Sequence, residues 1–338
     1  MESKFVVSSS PHIRDSANTR NIMRDVIIAL LPATIAGVYF FGLRALAVIL
    51  VTISSCVISE YLARKVMKRE STIGDLSAVV TGLLLALNLP PTIPFWIAII
   101  GGAVAIVIVK QMFGGLGQNF MNPALAARVI LFVSYTEQMT NWINPRGVDA
   151  VSTATPLENV KSGVLEVTAV DIAAGATQIG EVATQIVEMP SYLQLFLGQI
   201  GGCIGETSAL ALILGALYLL ARRVIGLQIP LTFIGTTALF TWIFGGPTPF
   251  TGDFIYHVLA GGLILGAFYM ATDYATCPVT NKGRIIMGVG CGILTGIIRL
   301  YTNYPEGVSF AIILMNIVVP LIDRYIVPKS FGGGKKVA

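Results

Sequence analysis

The sequence predicts an all-α polytopic membrane protein of about ten helices, and three observations lead there. Hydrophobic residues make up 54% of the 338-residue chain, and charged residues only 12%. A soluble domain carries roughly 25% charged residues, so about half the usual load is missing. The apolar residues gather into long runs, and about 20 of them suffice for a helix to cross a bilayer. The chain also holds 35 glycines, which suits helices that approach one another through small residues.

The first apolar run covers residues 26–41 and follows Arg20 and Arg24. Gly42 divides it from the second, 43–63, which stops at Arg64 and Lys65. Runs three to five cover 73–89, 94–113 and 121–135. A polar stretch, 136–190, comes next, then an apolar piece at 192–203 that is too short to span. Runs six to ten cover 207–221, 227–244, 254–271, 285–300 and 308–326. The expected organisation is an N-terminal segment (1–25), a first membrane half of five spans (26–135) and a long outer loop (136–205). A second half of five spans (206–326) and a tail (327–338) complete it.

Lysine and arginine set the expected sidedness. With both termini in the cytoplasm, 18 of the 22 basic residues fall on the inner side. They lie near the N terminus, at 64–69, at Lys110 and Arg128, at Arg222 and Arg223, at Lys282 and Arg284, and in the tail. Arg44, Arg146, Lys161 and Arg299 fall outside. Such a bias is what the positive-inside rule demands, and it places residues 136–190 outside the cell. That stretch holds seven acids against two basic residues, and so long a connection implies function or partial folding against the membrane surface.

Several classes are set aside. The net charge of +4 is small, so nucleic-acid binding is not expected. Cys56, Cys203, Cys277 and Cys291 form no CxxC pair, and His12 and His257 are far apart. Zinc and iron–sulfur sites need closer ligand spacing, so the cysteines read as small packing residues and no metal is expected. The polar, basic first 25 residues do not read as a cleavable signal peptide.

The outer stretch contains Asp149-Ala150-Val151-Ser152-Thr153-Ala154-Thr155-Pro156-Leu157. This resembles a known flavin-attachment pattern: Asp, two free positions, Ser or Thr, usually Gly, then Ala-Thr. Only Thr153 departs, standing where glycine is commoner. A second segment, residues 171–177, ends in Ala176-Thr177 but has Ala174 in place of Ser or Thr, so Thr155 is preferred over Thr177. With Gly117-Gln118-Asn119-Phe120-Met121-Asn122-Pro123 and Gly205-Glu206-Thr207-Ser208, nearly the whole chain resembles one family. Its members are the D subunit of the Rnf complex and the homologous B subunit of the sodium-pumping NADH:quinone reductase. The second has a longer N-terminal extension, so the resemblance favours the Rnf side.

The resemblance implies a membrane component of a ferredoxin:NAD oxidoreductase coupled to sodium or proton movement, inactive alone. It implies FMN joined through its phosphate to the Thr155 hydroxyl, with Asp149, Ser152 and Ala154 completing the motif. A flavin carries redox chemistry that no side chain can perform. A separate flavin transferase would supply the FMN, and such an enzyme needs an exposed, flexible substrate segment. Other Rnf subunits with flavin and iron–sulfur groups would be partners, and the resemblance also implies a non-covalent riboflavin site, on no particular residues. The competing reading is a solute channel or transporter, or a bare membrane anchor, with the loop as a lid.

Polar residues within or beside the runs are Asp25, Glu60, Asp75, Asn119, Asn122, Glu206, Asp273 and Asn281. Charge in a membrane is costly, so each is a candidate for ion handling, though a structural role is the commoner one. Gly288, Gly292 and Gly296 recur every four residues and read as a close helix contact. A faint repeat links Gly101-Gly102, Asn122-Pro123 and Arg128 with Gly261-Gly262, Cys277-Pro278 and Arg284. Two halves of five helices would be inverted with respect to each other, as in many transporters.

Overall fold

The structure is a computed structural model that describes residues 18–143, 145, 155–157, 190–302, 304 and 306–327. Among these there is no β-strand, and thirteen α-helical segments make up the fold. Four are long and apolar enough to cross a membrane: α1 (Thr19–Phe41), α2 (Leu43–Val66), α12 (Asn281–Tyr301) and α13 (Val308–Tyr325). Between them lie α3 (Ser77–Leu87), α4 (Phe95–Ala103), α5 (Pro123–Ser134), α6 (Thr136–Met139) and α7 (Tyr192–Leu197). α8 (Ala209–Ala221), α9 (Gln228–Phe244), α10 (Phe254–Leu259) and α11 (Leu263–Leu265) follow. α4 and α11 each run on into a π-helix, Val104–Gln111 and Gly266–Met270.

All ten apolar runs fall on helical segments, but two are broken where a continuous helix was expected. In the third, a short 3₁₀ turn (Ile73–Asp75) is followed by Leu76 in the left-handed region, φ 64°, before α3 begins. Asp75 Oδ1 accepts from the Ser77 amide at 2.8 Å, so the first amide of the restarted helix is met. In the eighth, the chain breaks between α10 and α11 at Gly261, φ 71°. Glycine adopts that angle without strain. The helices α3 and α5 are only 11 and 12 residues long, so neither crosses a bilayer alone.

Non-helical backbone at membrane depth must be satisfied inside the protein. The link after α3 and the link before α8 do this for each other. Ile204 N donates to Leu89 O at 3.1 Å, and Gly205 N to Leu87 O at 2.8 Å. Pro90 and Pro91 lack the amide such a link would otherwise leave bare. Arg44, at the start of α2, closes the same turn by donating to Pro91 O at 3.1 Å and Thr92 O at 2.7 Å.

α1 packs on α8, α2 on α3 and α4, α9 on α12, and α5 on α13. The Gly288–Gly292–Gly296 stripe makes the α9–α12 contact, as the sequence implied. A Cβ on Gly292 would lie 2.6 Å from Thr236 Cβ, so only glycine lets the two backbones come this close. The outer surface is apolar, with Leu43, Val66, Val133 and Tyr325 all about two-thirds exposed or more. In water such a surface would aggregate; against lipid it is at home.

Two basic residues do not sit where they were expected. Lys110 lies on the π-helix and Arg128 within α5, and both are buried, 2% and 5% exposed. Neither belongs to a loop, so the sidedness argument rests on the other basic residues. A buried ammonium or guanidinium needs partners, and each has found them.

Candidate functional site

Arg128 is the centre of one polar cluster. From α5, its Nη1 donates to Glu206 Oε1 at 2.9 Å, Asn88 Oδ1 at 2.8 Å and Ser309 Oγ at 2.9 Å. Its Nη2 pairs with Glu306 and lies 3.4 Å from Cys203 Sγ. These partners come from the link after α3, the link before α8, and the start of α13. One cation therefore ties four separated parts of the chain together. Asn122 caps α5 from below, accepting from the Ala124 amide at 3.0 Å, and donates to Met270 O at 3.3 Å.

Cys203 is more than packing here, since its thiol also lies 3.3 Å from Asn88 O. Cys203, Glu206 and Glu306 offer three metal-ligand atoms within 4.8 Å of one another. The Arg128 guanidinium stands among them and supplies the positive charge that a metal ion would bring. Arg299 of α12 is also buried; it donates to His257 O, and to Ala260 O at 3.3 Å.

Thr155 lies directly against the Arg128 cluster. It shares a cavity of about 10 Å³ with Gly201, Gly202, Glu206, Thr207, Gly261 and Glu306. Such a space is near the minimum for one water molecule. The segment was expected to be exposed, but Thr155 is only 3% exposed. The reason is in its neighbours. Leu157 packs with Leu195, Ile200, Tyr256 and Ala260, and the Tyr256 hydroxyl donates to Pro156 O at 3.2 Å. Apolar burial draws the segment down, and Thr155 goes with it. Asp149, Ser152, Ala154 and Thr177 lie outside the described residues.

A larger cavity, about 140 Å³, lies on the far side of Glu306. Phe132, Trp142, Tyr304 and Phe310 line it, with Arg128 and Glu306 as its charged residues. The Phe132 and Tyr304 rings are 5.5 Å apart at 69°, an edge-to-face pair. Elsewhere on the surface, Tyr192 donates to Asp253 Oδ2 at 2.7 Å. Giving up a proton beside that carboxylate is unfavourable, so the phenol pKa is pushed up.

A second cluster sits where α2 meets the π-helix that follows α4. Lys110 Nζ donates to Glu60 Oε2 at 2.9 Å and to Ser77 Oγ at 2.6 Å. Gln111 and Thr72 both donate to Glu60 Oε1, at 3.2 and 2.5 Å. Asp25 accepts from Tyr218 at 3.1 Å and Arg222 at 3.2 Å, joining α1 to α8. Of the residues singled out from sequence, Glu206 is thus brought to Thr155, while Asp25, Glu60 and Asp75 are not. Reading the sequence missed Arg128, Glu306 and Asn88 as site residues. A lone arginine eight residues into run five was the available signal for the first.

Among the described residues, fold and site define an all-helical membrane protein with broken helices and buried ion pairs: Lys110 meets Ser77 just after one break, and Glu206 lies against Gly262 just after the other. The chain belongs to the NQR2, RnfD, RnfE family, whose pattern matches residues 6–332. It is 47% identical over 333 residues to the D subunit of the Na(+)-translocating ferredoxin:NAD(+) oxidoreductase complex of Acetobacterium woodii, covering 98% of this chain and 96% of that protein. It is also 47% identical over 331 residues to the D subunit of the proton-translocating ferredoxin:NAD(+) oxidoreductase complex of Clostridium ljungdahlii, covering 97% and 96%. The D subunit of the ion-translocating oxidoreductase complex of Halorhodospira halophila is 37% identical over 338 residues, covering 96% and 94%.

Proposed function

We propose that this chain is the membrane-embedded D subunit of a ferredoxin:NAD⁺ oxidoreductase complex, relaying electrons through FMN carried on Thr155 while the complex moves sodium ions or protons. Membership of such a complex is supported by the near end-to-end match to proteins so named. The observation that carries the flavin reading is the position of Thr155. The last residue of the attachment pattern shares a small space with Glu206 and Glu306, the carboxylates that pair with Arg128, and Glu306 also lines the aromatic cavity. What supports the group here is a hydroxyl to esterify, flat apolar walls in the neighbouring cavity, and Arg128, whose charge partly offsets the two carboxylates, Glu206 and Glu306, that line the Thr155 space. When bound, FMN would supply the electron-accepting chemistry. Arg128 would hold positive charge at that place, and Trp142 and Phe310 would exclude water. Non-covalent riboflavin is carried over from the resemblance with no residue assigned.

Ten crossings in two inverted halves belong to the same reading. The first helices of the two halves, α1 and α8, pack together, as do the fifth, α5 and α13. Within each half the second helix packs on the fourth: α2 on α4, α9 on α12. The third element of each half is broken at a left-handed residue, Leu76 or Gly261. The basic clusters 64–69, 222–223 and 282–284 support a cytoplasmic side at the end opposite Thr155.

The test is chemical. The chain is purified from its own host, denatured on a gel and viewed under ultraviolet light. The band is expected to fluoresce, to go dark in Thr155→Ala and to stay bright in Thr177→Ala. Mass spectrometry of the peptide 146–161 should show the added flavin nucleotide. An unmodified mass, from cells that hold a flavin transferase, overturns the reading.

A further inference from the structure

We propose that the cavity walled by Phe132, Trp142, Tyr304 and Phe310 seats the ring system of the flavin tethered at Thr155. This rests on the Thr155 reading and goes beyond it, because a phosphodiester tether alone would leave the ring free in solvent. The space beside Thr155 is about 10 Å³, too small for any ring. The cavity beyond Glu306 is about 140 Å³. Glu306 lines both, so the two spaces share that side chain as a wall.

The lining fits a flat, conjugated, largely apolar ligand with a polar edge. Three aromatic rings pack on one another at its side. Phe132 and Phe310 are 6.2 Å apart at 84°, and Tyr304 and Phe310 are 5.6 Å apart at 32°. Aromatic residues at the end of a membrane bundle are often only a girdle at the lipid interface. Girdle residues face outward, whereas Trp142 is 5% exposed and lines the cavity. Tyr304 is 45% exposed and leaves one side open to water, as an electron carrier that serves a partner requires. The floor is polar and rigid. Arg128 is held by Glu206, Asn88 and Ser309 at 2.8–2.9 Å, so its charge is fixed before any ligand arrives. A flat ligand would stack its faces on these rings and turn its polar edge toward the Arg128–Glu306 pair.

The experiment uses the full chain, produced together with a flavin transferase and held in detergent. Three quantities are read: covalent flavin on the denatured band, flavin emission of the native protein, and the melting midpoint. A ring stacked on tryptophan or tyrosine is strongly quenched, so native emission should rise several-fold on denaturation. Trp142→Leu and Tyr304→Leu should each raise native emission several-fold, with covalent flavin unchanged. Tyr304→Phe should keep the ring seated, with the flavin absorbance unshifted from the parent protein. If the leucine variants fail to fold, Thr140→Leu fills the mouth from an exposed position and should also release emission. A bright denatured band with native emission that is unquenched, or unmoved by all these variants, overturns the ring site alone. A dark denatured band overturns the Thr155 reading, and this proposal with it.

Discussion

The two buried ion clusters use the same chemistry for different ends. Lys110 and Glu60 are 2% and 0% exposed and draw their partners from the first half of the chain. Apart from Glu60 itself, on α2, every partner lies on the π-helix or in the stretch 72–77 around the third element. Arg128 instead joins both halves, reaching Glu206 and Glu306 at 78 and 178 residues along the chain. It lines the aromatic cavity of about 140 Å³, and its partners Glu206 and Glu306 line the small space by Thr155, whereas Lys110 and Ser77 line a separate cavity of about 80 Å³. The Lys110 cluster braces one half against itself, while the Arg128 cluster ties the two halves together beside Thr155.

Substitutions can break this contrast or sharpen it. The largest effect is expected from Arg128→Met, which strands two carboxylates at once. Breaking one buried pair costs about 3–5 kcal/mol, so the loss should reach or exceed that range, read from the melting midpoint in detergent. Adding Glu206→Gln and Glu306→Gln should return much of it. A single variant that melts with the parent protein would mean the cluster is not the junction described.

Lys110→Met should cost somewhat less, about 3 kcal/mol, because Thr72 and Gln111 still donate to Glu60. Pairing it with Glu60→Gln should restore most of the stability. The sharper point is that the proposed flavin on Thr155 should not sense this change. Emission altered as much by Lys110→Met as by Arg128→Met would erase the distinction between a brace and a site.

The smallest effect is expected at Arg222→Ala. The side chain is 54% exposed where it meets Asp25, and exposed pairs contribute up to about 1 kcal/mol. Tyr218 continues to donate to Asp25, so the acid is not left alone. A midpoint shift comparable to that of Lys110→Met would show that burial is not what ranks these pairs.

The burial of Thr155 bears on how the chain matures. Leu157 in its apolar pocket and the Tyr256–Pro156 hydrogen bond hold the segment down. A transferase cannot reach a hydroxyl on a residue that is 3% exposed. The proposed attachment would therefore have to precede docking of this segment or lift it. Leu157→Ala should loosen it at a cost of about 2–5 kcal/mol and speed labelling in a timed transferase assay. Unchanged labelling kinetics would place the modification before the segment docks.

The sequence by itself determined the helical class, the approximate place of each apolar run, the close α9–α12 contact at its glycine stripe and the threonine worth testing. These are local properties. Hydropathy accumulates over neighbouring residues, a glycine every fourth position marks one helix face, and a short attachment pattern is contiguous. Tertiary structure alone decided that runs three and eight break, that Lys110 and Arg128 are interior charges, and that Glu306, Asn88 and Cys203 gather around Arg128. No window along the chain contains these facts. A buried charge is tolerable only because of partners that arrive from distant elements, and the chain names those partners only when it is folded.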